Sequence, residues 1–237
     1  MTDLSDVFFL AISLVLSGNN DLLEIVALSL RVSLTAVGCA VLVGMPLGAA
    51  VGLGRFPGKN IIVLFFNAMM GIPPVVVGLF VYMMVSKSGP LGWLDILYTP
   101  TAMITAQFIL ITPIIASLTR QVIEDLHQHH AQQFRSLCVP RHVAILELLR
   151  EGRTSLLTTA MAGLGRAMAE VGAVIIVGGN INHLTRVMTT AIALETSKGD
   201  LALALALGIV LLAMSLIINS AVMGLRNRAP SVIGTVS

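Results

Sequence analysis

Residues 163–179 read Gly-Leu-Gly-Arg-Ala-Met-Ala-Glu-Val-Gly-Ala-Val-Ile-Ile-Val-Gly-Gly. Apart from Arg166 and Glu170 the run is apolar, and with its upstream flank it is long enough to cross a bilayer, which takes about 20 residues. Each ionisable side chain at the bilayer centre costs about 2.5–3.5 kcal/mol even on a lenient insertion scale. Such groups therefore face a bundle interior or a wet path and take a partner. The i,i+4 spacing puts Arg166 and Glu170 on one helix face, within reach of each other. Two readings stand side by side: a structural ion pair that locks helix packing, or a polar lining for a transported solute.

The rest of the chain is of the same kind. Of its 237 residues, 56% are hydrophobic and only 11% charged, with a mean hydropathy of +0.94. Soluble domains carry roughly 25% charged residues, so this composition implies an all-α integral membrane protein. Five segments are predicted to span: 32–53, 61–85, 101–119, 155–178 and 201–225. Val7 to Leu16 is apolar but too short to cross, so residues 1–23 read as an N-terminal interfacial segment. The acidic start, with Asp3 and Asp6, argues against a cleavable signal peptide. Cys39 and Cys138 fall in a span and a polar loop, which makes a disulfide unexpected.

Orientation follows from basic residues. Arg55, Lys59, Arg120, Arg135, Arg141, Arg150, Arg153, Arg226 and Arg228 share one side of a five-span chain. Lys87, Arg186 and Lys198 lie on the other, with Asp3, Asp6, Asp21, Glu24, Asp95, Glu195 and Asp200. The C-terminus, with the tail 226–237, is thus expected in the cytoplasm and the N-terminus outside.

Inside the spans, Ala36, Ala40, Gly44, Gly48 and Gly52 form a small-residue stripe suited to close helix packing. Pro46 is expected to bend that helix. Gly71-Ile72-Pro73-Pro74 removes two consecutive backbone donors and is expected to break the second span; Pro113 is expected to do the same to the third. A break is tolerated in the membrane only where protein or a wet cavity satisfies the freed carbonyls. Pro73 and Pro74 therefore mark either a packing kink or part of a solute path.

The one long polar segment, 120–153, is expected to be helical with a break at Pro140, and its size suits a docking surface. His127, His129 and His130 lack the carboxylates or cysteines that would complete a metal cluster, so a solvated helix face is the expectation. Gly54-Arg55-Phe56-Pro57-Gly58-Lys59-Asn60 has one residue too few between its glycines for a P-loop, and Asn60 replaces the Ser/Thr. No ATP site, nucleophile elbow or zincin motif is present, which leaves no enzyme reading and no expected cofactor.

A kinked proline span, a long polar loop containing Arg135-Ser136-Leu137, and two further spans resemble the membrane subunit of type I ABC importers. In that family the loop carries Glu-Ala-Ala, three residues, Gly, and later Leu-Pro. Here Gln132-Gln133-Phe134 and Cys138 stand at the first two positions and Leu149-Arg150 near the third. The match is degenerate. Closer is the block from Glu170-Val171-Gly172-Ala173 through Val177-Gly178-Gly179-Asn180 to Gly199-Asp200, which is similar to permeases of tungstate-type importers. Pro73-Pro74-Val75-Val76-Val77-Gly78 is similar to the wider molybdate/tungstate group.

The resemblance covers about residues 24–225 and implies a transmembrane type-1 domain. It also implies that a coupling helix, at Gln132, Gln133, Arg135, Ser136, Leu137 and Cys138, docks on an ATPase. The implied assembly is a homodimer with two cytoplasmic ATP-binding subunits and an extracytoplasmic oxyanion-binding protein, in a bacterial or archaeal cytoplasmic membrane, with lipid and no nucleic acid as further partners. Solute would pass between the two copies, and Pro73, Pro74, Arg166, Glu170 and Asn180 are the candidate lining. Tungstate is the expected cargo, with molybdate or sulfate as alternatives. A secondary transporter coupled through Glu170 would be expected to carry internal repeats, and none is visible.

Overall fold

In a computed structural model the described residues are 20–54 and 56–228, together with Phe9, Ile12 and Ser13. Most of the segment expected at the interface, and the tail beyond Arg228, lie outside them. Among the described residues the chain is helical without strands: α1 Asn20–Leu53, α2 Lys59–Met70, α3 Pro74–Val85, α4 Pro100–Ser136, α5 Arg141–Glu151, α6 Arg153–Met168, α7 Gly172–Gly178, α8 Met188–Lys198 and α9 Leu201–Arg228. Helices α1, α4 and α9 are long and apolar enough to cross a membrane. The pairs α2/α3 and α6/α7 are bent by 99° and 59° at short breaks, and counting each as one span makes five.

The stripe on α1 packs as its spacing predicts. Ala36, Ala40, Gly44, Gly48 and Gly52 are all buried, and α1 lies along α4 in the most extensive helix contact of the fold. A Cβ at Gly48 would run into the carbonyl of Ala116 and sit 2.9 Å from Thr119 Cβ. Backbone and backbone therefore meet directly, and Gly48 admits no larger residue. Around this pair the core gathers Val32, Val77, Val81, Met103, Ala106, Ala173, Val174 and Val177, drawn from α1, α3, α4 and α7.

Several expectations need correction. The helix of the first span starts at Asn20, well before the expected 32, so Asn20 and Asp21 begin α1 rather than close the interfacial segment 1–23. Pro113 does not break its helix: α4 runs through it for 37 residues, joining the third span to half of the expected loop. One missing donor is a small loss in a helix pinned along its length by α1. Pro46, expected to bend α1 rather than break it, also lies inside a continuous helix. Segment 120–153 comprises the end of α4 and the helix α5, parted at Pro140 as expected, and α5 buries Leu148 against Ala49 and Ile123. The last helix continues past Leu225 to Arg228.

Candidate functional site

The first break is made by proline. Pro73 caps α3 in an extended conformation and Pro74 is its first residue, where a missing N–H costs nothing. Gly71 N donates to Ala68 O at 3.1 Å and Val76 N to Pro73 O at 3.0 Å, so the backbone closes on itself. A side-chain tether holds the last turn of α2, just before the break: Ser117 of α4 donates to Asn67 Oδ1 at 2.9 Å.

The second break, at Ala169-Glu170-Val171, contains no proline. Arg166 and Glu170 do pair, with Arg166 Nη1 donating to Glu170 Oε2 at 2.8 Å. They do not share a helix face, however, because α6 ends at Met168 and Glu170 sits in the gap. The other carboxylate oxygen, Oε1, accepts from Ala173 N at 3.0 Å and caps the start of α7. The carbonyls at the gap take donors from elsewhere: Gln107 Nε2 of α4 donates at 3.1 Å to Ala167 O, which also accepts from Glu170 N at 3.3 Å, and Thr189 Oγ1 donates to Glu170 O at 2.8 Å. Glu170 is 4% exposed and Arg166 35%. The carboxylate is thus committed to the interior, while the guanidinium reaches the surface of the protomer.

The two breaks meet. A Cβ at Gly78 of α3 would lie 2.7 Å from Ala173 Cα, and one at Gly172 would lie 2.6 Å from Val75 Cγ2. The Pro73–Gly78 and Glu170–Ala173 motifs, almost a hundred residues apart in sequence, are therefore one packed junction. Gln107 and Thr189, which hold it, were missed by sequence reasoning. A lone glutamine in the apolar run 102–118 was the available signal.

Asn180 lies apart from this junction. Its Oδ1 accepts from Thr190 Oγ1 at 2.9 Å and its Nδ2 donates to Thr190 O at 3.3 Å. Thr185 Oγ1 donates to Gly178 O at 2.5 Å within the same loop. Asn180 shapes the 179–187 connection and has spent its amide there.

At the polar end, Gln132, Gln133, Ser136, Leu137 and Cys138 are exposed, and Arg135 lies in the last turn of α4. The helix closes with Val139 N donating to Phe134 O at 3.1 Å. Cys138 has a φ of 49°, the left-handed conformation that glycine takes at no cost. Lys59 of the false P-loop is engaged by Glu124 Oε1 at 2.8 Å and Gly52 O at 2.9 Å. His130 faces Glu151 at 3.3 Å. Among the described residues the group with metal-ligand spacing lies elsewhere, at exposed Asp21, Glu24 and His183, whose ligand atoms all fall within 4.8 Å of one another. Cys39 and Cys138 are both exposed.

Comparison with known proteins places this architecture. The family described as binding-protein-dependent transport system inner membrane component matches residues 44–229. The chain belongs to this family. It is 40% identical over 215 residues to a probable anion ABC transporter permease protein of Haloferax volcanii, covering 88% of this chain and 92% of that one. It is 38% identical over 226 residues to the tungstate uptake system permease protein TupB of Peptoclostridium acidaminophilum, covering 95% and 99%. Similarity to the sulfate transport system permease protein CysT of Escherichia coli K12 is lower, at 26% over 181 residues, covering 73% and 65%. The chain is accordingly a multi-pass permease subunit of the inner membrane.

Proposed function

We propose that this chain is the permease of a homodimeric ABC importer for a tetrahedral oxyanion, with tungstate as cargo. The observation that carries the reading is the end-to-end likeness to a tungstate uptake permease, against a shorter and weaker likeness to sulfate permeases. Charge alone does not choose among tungstate, molybdate and sulfate, since each is a tetrahedral dianion that favours positive charge or backbone donors.

In this reading the chain holds no ATP site, and hydrolysis occurs in two cytoplasmic partner subunits. The polar end of α4 docks there through Gln132, Gln133, Arg135, Ser136, Leu137 and Cys138. The exposed side chains and the left-handed Cys138, at the position of the family's glycine, support this placement. The C-terminus lies in the cytoplasm and an extracytoplasmic binding protein delivers the anion to the opposite face. The anion passes between two copies of the chain. Pro73, Pro74 and the half-exposed Arg166 border that path, while Glu170 sets the position of Arg166 from within.

The test is reconstitution of the chain with its ATPase and binding protein in proteoliposomes, followed by ATP-dependent uptake at matched low anion concentrations. Tungstate uptake should exceed that of sulfate. Equal or better uptake of sulfate would overturn the cargo, and uptake of a sugar or amino acid instead would overturn the oxyanion class.

A further inference from the structure

Gln107 makes one of the four hydrogen bonds its side chain offers. It is 4% exposed, and its Nε2 is committed to Ala167 O. Its Oε1 is fully buried and has no hydrogen-bond partner among the described residues. Turning the amide over would set two acceptors against each other at 3.1 Å and strand both N–H donors, so the orientation is fixed. A buried amide oxygen deep in a membrane bundle needs a donor.

Beside it lies a cavity of about 20 Å³, lined by Ser33, Gln107, Glu170, Met188 and Thr189 among others. A single water needs about 10–15 Å³ by this measure, with two to four polar partners. The space is too small for a tetrahedral oxyanion, and the orphaned acceptor would repel one. The Ser33 hydroxyl, 4% exposed on α1, supplies a second polar group. Glu170 is already matched by Arg166 and Ala173 N, so no surplus negative charge calls for a cation.

We propose that one ordered water occupies this cavity, donating to Gln107 Oε1 and sharing a hydrogen bond with Ser33. It completes the second break, linking α1 and α4 to the gap between α6 and α7. The inference is independent of which solute the protein carries.

Two methionines provide the test. Met188 is 1% exposed and lines the cavity, whereas Met103 is 0% exposed and is not among the residues that line it. Radiolytic hydroxyl labelling of the purified full-length chain in lipid nanodiscs generates radicals from bound as well as bulk water. A resident water should make Met188 oxidise severalfold faster than Met103 despite equal burial. Gln107→Leu should bring the Met188 rate down to that of Met103. Should that variant fail to fold, Ser33→Ala should lower the Met188 rate in part. Equal rates for Met188 and Met103 in the folded wild type would overturn the proposal, as would a folded Gln107→Leu protein with an unchanged Met188 rate.

Discussion

The two broken spans reach a similar shape by opposite chemistry. Between α2 and α3 the chain turns through 99° with prolines at the cap and first helical position, and the backbone satisfies itself at the turn. Between α6 and α7 it turns through 59° with no proline, and side chains from α4, from α8 and from the gap itself join one backbone bond in closing the freed groups. The first break closes its own backbone, with Ser117 and the Gly78–Ala173 packing as outside support. The second is a tertiary property and exists only while α4 and the start of α8 are in place. A break held by side chains can be released by moving their owners, which makes the α6/α7 gap the better candidate for a moving part.

This contrast predicts a graded response to mutation. The largest effect is expected from Arg166→Ala. It strands the Glu170 carboxylate, which is 4% exposed, and the loss of one partner of a buried pair costs about 3–5 kcal/mol. Thermal unfolding in detergent should show a drop of many degrees. Glu170→Gln should cost less, because a glutamine oxygen can still accept from Ala173 N and the stranded Arg166 is 35% exposed. An equal loss in the two variants would mean that the cation is as deeply committed as the carboxylate.

At the first break, Pro73→Ala with Pro74→Ala should cost only about 0.4–1 kcal/mol per site, mainly through added freedom of the unfolded chain. A loss as large as that of Arg166→Ala would show that the first break, too, depends on its surroundings.

The smallest effect concerns the 179–187 connection, where His183 is bonded to Glu24 at 2.7 Å. That hydrogen bond, then the charges of Glu24 and Asp21, raise the imidazole pKa above its ordinary 6.5 against the opposing Arg186. A raised pKa means that the stabilisation is fully present below about pH 6.5 and fades as pH rises through the folded-state value. His183→Asn, which tolerates the left-handed backbone there, should therefore unfold earlier than wild type at pH 6 and alike at pH 9. A gap that widens with pH would reverse the assignment.

Much of this was legible in the sequence because its signals are local. Apolar length located five spans, the spacing of Ala36 to Gly52 located the α1–α4 contact, and Pro73-Pro74 located the first break. The Arg166–Glu170 pairing followed from the cost of lone charges in lipid. The second break was not legible. No residue between 163 and 179 forbids a helix, and the donors that stabilise the gap, Gln107 and Thr189, lie 60 and 19 residues from their acceptors. Pro113 misled for the complementary reason: its local penalty is real, but the packing of α4 against α1 overrides it. Segment 120–153 was legible as helix broken at Pro140, but its charge hid the anchoring of those helices by Leu148 and Ile123.

The most direct test of the side-chain-held break is a double-mutant cycle on Arg166 and Glu170, read by thermal unfolding. Arg166→Ala and Glu170→Gln together should be more stable than Arg166→Ala alone, because the double change leaves no charge without its partner. The coupling should fall in the range of about 0.5–3 kcal/mol seen for residues in contact. Strictly additive losses would contradict the account, since they would mean that the two side chains do not hold the gap as a unit.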